Sequence, residues 1–417
     1  MSVVSVNSTP SITPSKGSFS GMAVESISAG DTVVGFDASV IPDLVIADPT
    51  TAQTTSPSAF AMRLVFNGEG NRMLLGLGTT SSPQLLLYSV SNGAYTYLKN
   101  ISIKGMPNGL AFNKKRNLLV VGTNMSPYFY IFSVSGDIYT NVTSTILDGG
   151  LPVDVNAVPE CVWSGDEDSL YIACSILGSS ISKNKVYTFS NDVLVSQTSF
   201  DIETTQVYRA AINVDASLIV SVTAQGAFSF FKRTGNTYVL QTSPIGILPT
   251  KGCGMAFNPD GTRFICTATV APYTSVFAIS NGEYTHLGAI DGVTSSATSV
   301  VWDSSGLVVV VGLEFSPYAS VFKYSNSVLT KIPIAFGPAN GMNPAQTAFR
   351  PNSTEFITPG KAPYGPVVFT MFLDGKVAKA GLVLAAALSS DSSFVGFGWA
   401  KRPATTGQMI EMGIFAK

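Results

Sequence analysis

Charge is scarce in this chain. Only 12% of the 417 residues are Asp, Glu, Lys or Arg, about half the share typical of a globular domain. The formal net charge of -2 provides no basic field, so the composition excludes a nucleic-acid or anionic-membrane surface that works by electrostatics. A weakly charged surface suits a subunit covered by neighbours better than a concentrated free monomer.

Histidine is nearly absent, because His286 is the only one. A catalytic Ser/His/Asp or Cys/His group cannot be built around a single histidine on an outer strand, and a site with several histidine ligands is impossible. We expect His286 to be a solvent-facing strand residue rather than a general base. The chain also has no P-loop or dinucleotide fingerprint. The sequence therefore predicts no enzymatic activity, no cofactor and no metal.

Cysteines and long apolar runs are few. The four cysteines form the pairs Cys161/Cys174 and Cys253/Cys266, each thirteen residues apart. They are either two disulfides within repeats or small buried thiols, and the second interpretation is favoured because we expect synthesis in a cytoplasm. No run approaches the roughly 20 apolar residues of a membrane helix. Residues 1–21 lack the basic and apolar regions of a signal peptide, so we predict no membrane partner.

The chain does contain a repeat built of strand-type segments. Each copy has an apolar strand with an anchor near its end, a polar turn and a β-branched strand. The seven anchors lie 45 to 51 residues apart and are Phe66, Phe112, Trp163, Ile212, Phe257, Trp302 and Phe349. A period of about 40 to 50 residues without helical patterning is typical of a β-propeller with one four-stranded sheet per copy. We predict an all-β fold with a seven-bladed β-propeller.

The repeat resembles seven-bladed propellers of the WD40-like and lactonase-like type, in which a Phe-x-Pro-Asp-Gly turn recurs, as in residues 257–261. The resemblance covers residues 61–379. It concerns the architecture, because the Gly-His…Trp-Asp signature of WD40 scaffolds is absent. Lactonase-like propellers gather polar residues where the innermost strands meet the channel. The candidates here are Glu160, Arg209, Arg63 and Glu314, which we expect to be solvated loop charges.

A step of a small residue, proline and tyrosine recurs between strands. Its tyrosines are Tyr128, Tyr273, Tyr318 and Tyr364. On loops at one face they would form an aromatic ring for a saccharide or protein partner. The favoured alternative is that they pack between blades and hold the loops.

The two ends of the chain, residues 1–60 and 380–417, do not follow the repeat but resemble each other. Phe19-Ser20-Gly21-Met22-Ala23 is echoed by Phe394-Val395-Gly396-Phe397-Gly398, and each is followed by a glycine turn and an apolar strand. These segments resemble the small β-domains of tailed-bacteriophage head-decoration and head-fibre proteins. The resemblance implies a small β-domain formed from both ends and carrying the propeller of residues 61–379. The alternative is a pair of ordinary hairpins that seal the propeller.

The resemblance implies a non-enzymatic structural protein of a tailed-bacteriophage virion, made in the host cytoplasm, that decorates the capsid or forms part of the tail. Its expected partners are other virion proteins, copies of itself and a host-surface glycan or protein. The alternatives are a lactonase-like enzyme or intracellular scaffold, and a phage receptor-binding protein.

Overall fold

The computed structural model describes most of the repeat region and short parts of both ends. The described residues are 18–22, 32–36, 44–46, 50–51, 61–79, 84–91, 94–152, 154–176, 182–202, 206–242, 251–315, 318–325, 327–332, 346–351, 355–358, 367–373, 378–379, 394–400 and 409–414. The chain divides into two compact units. One comprises residues 46–370, and the other comprises residues 1–45 and 371–417.

Strands make up nearly all the regular structure. The N-terminal strands are β1 (Ser18–Met22), β2 (Thr32–Phe36), β3 (Leu44–Ile46) and β4 (Thr50–Thr51). Blade 1 comprises β5 (Ala61–Phe66), β6 (Arg72–Leu77), β7 (Leu85–Ser91) and β8 (Ala94–Ile101). Blade 2 comprises β9 (Pro107–Asn113), β10 (Leu118–Thr123), β11 (Phe129–Ser135) and β12 (Ile138–Asn141), and the short helix α1 (Thr143–Ile146) follows it.

The next four blades repeat this arrangement. Blade 3 comprises β13 (Val155–Trp163), β14 (Ser169–Ile176), β15 (Ser182–Ser190) and β16 (Val193–Ile202). Blade 4 comprises β17 (Val207–Ile212), β18 (Leu218–Thr223), β19 (Phe228–Thr234) and β20 (Thr237–Leu240). Blade 5 comprises β21 (Gly252–Phe257), β22 (Arg263–Ala268), β23 (Thr274–Ser280) and β24 (Glu283–Gly288), and blade 6 comprises β25 (Ala297–Trp302), β26 (Val308–Leu313), β27 (Ala319–Ser325) and β28 (Val328–Ile332).

In each blade the four strands pair antiparallel with their sequence neighbours. All six residues of β10 (LLVVGT) and of β18 (LIVSVT) are buried, whereas the outer strand β24 alternates between exposed and half-buried positions. A strand covered on both faces reads as a continuous apolar run. The second strand of each blade therefore lies between neighbouring blades.

The core consists of separate layers between blades. One layer joins Leu87 of blade 1 to Leu119 and Val121 of blade 2, and another joins Val120 of blade 2 to Trp163 of blade 3. Similar layers join blade 3 to blade 4, blade 4 to blade 5, and blade 5 to blade 6. Such face-to-face burial of apolar sheets is what stabilises a propeller.

The turn after each anchor is closed by a side chain. In five blades the residue after the anchor accepts a hydrogen bond from the backbone N–H five residues later, at 2.7 to 3.0 Å. These acceptors are Asn67, Ser164, Asn213, Asn258 and Asp303. Short polar side chains that bond to nearby backbone groups favour turns over continued strand.

The predicted all-β propeller is confirmed, but it has six four-stranded blades where seven were predicted. The seventh repeat supplies only β29 (Ala348–Phe349), β30 (Glu355–Thr358) and β31 (Val367–Leu373), which pair in that order. The strand β3 follows β31 in the order of this sheet, and the short strand β4 also pairs with β31 through Thr50↔Val368 and Thr51↔Val367. The count differs because, among the described residues, the seventh repeat has no fourth strand of its own.

The smaller unit contains one antiparallel sheet drawn from both ends of the chain. Its C-terminal strands are β32 (Ala378–Lys379), β33 (Phe394–Ala400) and β34 (Met409–Ile414), and the strand order is β1-β34-β33-β2-β32. β1 pairs with β34 from Ser18↔Gly413 to Met22↔Met409, and β2 pairs with β33.

Candidate functional site

A central channel with a cavity volume of about 540 Å³ is lined by the innermost strands of the propeller. The residues three positions before the anchors occupy equivalent places in these strands. We call this set the channel ring, and it consists of Arg63, Gly109, Glu160, Arg209, Gly254, Ser299 and Gln346. Six of the seven, all but Gly109, line the cavity.

A β-bulge positions the channel ring. In blades 1, 3, 4, 5 and 6 the register of the innermost strand shifts immediately before the ring residue, as between Val207 and Arg209. Blade 2 has the same bulge, because Gly109 pairs with Gly122 and Pro107 with Thr123, which leaves Asn108 as the extra residue before Gly109. Bulges re-aim the side chain that follows them. The repeat therefore brings one residue per blade to the same level of the channel.

The charged members of the ring lie together. Arg209 Nη1 is 3.8 Å from Glu160 Oε2, a loose ion pair rather than a hydrogen bond. The Cys161 N–H donates to Glu160 Oε1 at 3.1 Å. Arg63 stands two blades away from Glu160, with Gly109 between them in the ring order. At Gly109 a Cβ would lie 2.7 Å from the Cys161 backbone nitrogen, so only glycine fits this close approach.

Burial dominates the chemistry of Glu160. Desolvation raises the pKa of this carboxyl to about 7, against the opposing effects of the Arg63 charge and the Cys161 N–H. A carboxyl with a pKa near neutrality changes its charge within the physiological range. The channel ring therefore places one titrating group, Glu160, beside two permanent positive charges, Arg63 and Arg209.

The expectation that the charged candidates are solvated loop charges is wrong for three of the four. Arg63 is only 2% exposed and Glu160 only 9%, so neither is a solvated loop charge. Arg209 is also largely covered, with 12% of its side chain exposed. Glu314 is exposed, and it accepts a hydrogen bond from Ser296 Oγ at 2.8 Å. The structure brings the first three together and leaves Glu314 outside the channel lining.

The sequence did contain the signal that identifies the ring. When the seven copies are aligned on their anchors, the position three residues earlier reads Arg, Gly, Glu, Arg, Gly, Ser and Gln. Each charged residue, considered by itself, resembles a residue of a solvated loop. Compared across the copies at a fixed offset, these residues mark one layer of the channel.

The loops between the second and third strands form another common surface. Tyr128 and Tyr273 are half-buried and pack against the layers between blades 2 and 3 and between blades 5 and 6. Tyr318 is also half-buried, whereas Tyr364 lies outside the described residues. For the two tyrosines in these layers, the structure agrees with the interpretation that they hold the loops.

The tyrosine carbonyl closes each of these loops. It accepts a hydrogen bond from the last residue of the second strand, namely Thr123, Ala268 or Leu313, at 2.7 to 2.9 Å. The N–H groups of Tyr128 and Tyr318 donate to the carbonyls of Met125 and Phe315.

The residue three positions before the tyrosine points outward. Met125, Val270 and Phe315 are 46%, 39% and 59% exposed. We call the surface they share the loop face, since equivalent loops of blades around one axis lie on the same side. It presents apolar residues that are not the tyrosines singled out in the sequence.

The histidine and the cysteines have structural positions. His286 is half-buried rather than solvent-facing, because its ring packs 5.2 Å from that of Phe277 on the neighbouring strand. All four cysteines are free, as predicted, and three of them are buried. Burial raises the pKa of the Cys174 thiol to about 12 and that of Cys161 well above its usual value. A buried thiol of raised pKa is unreactive.

Among the residues the structure describes, no three His, Cys, Asp or Glu side chains lie close enough together to hold a metal ion. Within the same residues, no helix is both long and apolar enough to cross a membrane. In comparisons with known proteins, no family model and no curated protein sequence matches the chain.

Proposed function

We propose that this chain is a non-enzymatic structural protein of a tailed-bacteriophage virion, in which the propeller is a binding or stabilising module. The observation that carries the proposal is the pairing of the two chain ends in one sheet. β1 pairs with β34 over five residue pairs, and β2 with β33. A small β-domain built from both ends requires this pairing.

In this role the protein is made in the host cytoplasm and resides in the virion, where it contacts capsid or tail subunits and copies of itself. Its low charge, with a formal net charge of -2, supports a partner that is neither nucleic acid nor membrane.

We further propose that β29, β30 and β31, with β4, are the closing seventh blade. β29 contacts both β25 of blade 6 and β5 of blade 1, which a strand closing the ring must do. β4 pairs with β31, which is the position of an outer strand. The N-terminal segment would thus complete the last sheet of the disc.

Mass spectrometry of purified particles of the phage that encodes this chain tests the virion assignment. The chain is expected at a copy number proportional to that of known capsid or tail subunits, and it should remain after washing in high salt. Its absence from purified particles, or its complete loss in that wash, would refute the proposal.

The loop face favours a second candidate, a receptor-binding protein that recognises a host-surface protein. Exposed apolar residues recur at equivalent places on three blades, as Met125, Val270 and Phe315. Exposed apolar residues on one face of a protein are a common feature of interaction sites.

Binding of the purified full chain to host cells tests this candidate. The triple variant Met125→Ser, Val270→Ser, Phe315→Ser should lose binding, whereas Ile138→Ser should retain it. Ile138 is 65% exposed but lies at the start of the outer strand β12. Equal binding by both variants would exclude the loop face as the receptor site.

A further inference from the structure

Polar side chains join the seventh repeat to blade 1. The Tyr95 hydroxyl of blade 1 donates to Glu355 Oε2 at 2.8 Å, and Arg350 Nη1 donates to the same oxygen at 2.8 Å. Arg350 Nε donates to the Gly70 carbonyl of blade 1 at 2.7 Å. We call Gly70, Tyr95, Arg350 and Glu355 the latch. Tyr95 and Glu355 are 2% and 8% exposed, so the carboxylate takes its hydrogen bonds inside the joint.

Arg350 directly follows the seventh anchor, the position of the turn-closing acceptors in five other blades. A guanidinium group has only donors, so Arg350 cannot accept the backbone N–H that those residues bind. Its donors reach the Gly70 carbonyl and Glu355 instead. A Cβ at Gly70 would lie 2.5 Å from the Pro351 carbonyl oxygen, which shows how closely the two turns approach. In the seventh repeat this position therefore links two neighbouring turns.

The apolar contribution to this joint is small in the described part of the chain. The innermost strands of blades 1 to 6 are six to nine residues long, whereas β29 has two. In the layer against blade 1, the seventh repeat supplies only Ile357 and Ala348 among the described residues. Blades 1 and 2, by contrast, each supply several side chains to the layer they share. Because apolar stabilisation scales with buried area, the joint depends more on its polar contacts.

We propose that the latch is the release point of the disc, whether or not the protein belongs to a virion. β29 and β30 separate from blade 1 and return as a unit while blades 2 to 6 stay folded. Opening exchanges the latch hydrogen bonds for hydrogen bonds to water, which costs less than exposing a full apolar layer. Glu355 accepts from both Tyr95 and Arg350, so the contacts form and break together.

Hydrogen–deuterium exchange of the full chain, read by mass spectrometry, tests the release point. The strands β30 and β18 make a matched pair, since every residue of both is buried. After correction for intrinsic exchange rates, we expect the amides of β30 to be protected about tenfold less than those of β18, because local opening precedes global unfolding. Equal protection of the two strands would overturn the proposal.

Tyr95→Phe tests the latch itself, because it removes one hydrogen bond and keeps the ring in the apolar layer. Exchange in β30 should rise about fivefold, with exchange in β18 unchanged. Arg350→Lys should act in the same direction, since an ammonium group does not reproduce the planar fork that holds two partners.

The control is Asp137→Asn, which removes the ion pair between Arg72 of blade 1 and Asp137 of blade 2. This variant should leave exchange in β30 unchanged. An equal rise in β30 and β18 on Tyr95→Phe would show that the latch only adds to global stability, and unchanged exchange in β30 would show that it does not hold the joint. Either result contradicts the proposal.

Discussion

The chemical environment of a single channel residue in this propeller depends on the residues that the neighbouring blades place at the same height along the channel. Glu160 and Arg209 occupy the same place in adjacent blades, yet one carries a carboxylate and the other a guanidinium. Their contact is 3.8 Å long. A buried carboxyl with so loose a partner recovers only part of its hydration energy, which is why its pKa rises.

The raised pKa predicts how stability changes with pH. Glu160 has a folded pKa of about 7 against an unfolded value of 4.5, so the folded state binds the extra proton between these values. The stability that this group contributes is therefore present below pH 4.5 and is lost as the pH rises through 7. The loss amounts to roughly 3 kcal/mol at most.

Urea denaturation at a series of pH values measures this effect. Wild type should lose stability relative to Glu160→Gln between pH 5 and pH 8, because glutamine does not titrate. The other titrating groups contribute equally to both proteins and cancel in the difference. Parallel stability curves for the two proteins would show that Glu160 ionises freely in the folded state.

The chemistry of single residues was the least predictable part of the molecule. The free cysteines were anticipated because small apolar fillers suit buried strands. Glu160 was misjudged because its strand position, which buries it, depends on contacts with other blades. His286 was misjudged because the cross-strand ring of Phe277 covers it. Such burial follows from tertiary packing, which a local pattern does not contain.

At the scale of elements, the anchor turn links the two inner strands of each blade. Asn258 is buried and accepts the Arg263 N–H at 2.7 Å. Asp303 makes the equivalent contact with the Val308 N–H in the next blade. Closing the turn requires a side-chain oxygen that accepts a hydrogen bond, and both asparagine and aspartate provide one.

Replacing Asn258 tests this requirement. Asn258→Ala should destabilise the protein by about 1 to 3 kcal/mol, because the partly buried Arg263 N–H loses its partner. Asn258→Asp should cost less, since it keeps the acceptor. Thermal denaturation provides the comparison, with Ser190→Ala as an exposed-site control. Equal losses from the alanine and aspartate variants would contradict the assigned role.

Elements were the part best predicted from the sequence. The apolar runs at the second strands, such as Leu118–Thr123, and the polar turns between them are local signals. The bulge before the ring residue of blades 1 to 6 was not predicted, because it is defined by the pairing of two strands rather than by the sequence of one. It becomes visible only when both paired strands are in view.

At the scale of the whole molecule, the circle of blades has to close. β29 neighbours β25 and β5, and β4 adds to β31 from the other end of the repeat region. Joining distant parts of the chain constrains the ends of the disc as a cross-link would, at the cost of closing a long loop.

Proline substitutions in β4 test this closure without changing the apolar layers between the blades. Of Thr50→Pro and Thr51→Pro, at least one should lower the free energy of unfolding by about 1 kcal/mol or more, because proline removes a ladder donor. Thr50→Ala and Thr51→Ala keep the N–H and should be nearly neutral. The measurement is urea denaturation. Full stability in both proline variants would show that the pairing of β4 does not contribute to closing the circle of blades.

The propeller architecture followed from the spacing of the anchors, but the number of complete blades did not. The seventh anchor, Phe349, is present, and the sheet that contains it lacks a fourth strand from its own repeat in the described part of the chain. Repeat counting predicts how many times a motif occurs. It does not show which segment of the chain completes each sheet.

The four-residue step on the loop face divides two tasks between neighbouring residues. The tyrosine turns inward and closes the loop, while the residue three positions before it stays exposed. The chemical character of the face and the integrity of the disc are thus encoded at different positions of one short motif. Met125, Val270 and Phe315 can therefore be substituted, one blade at a time, to change the chemistry of the loop face while the tyrosines that close the loops stay in place.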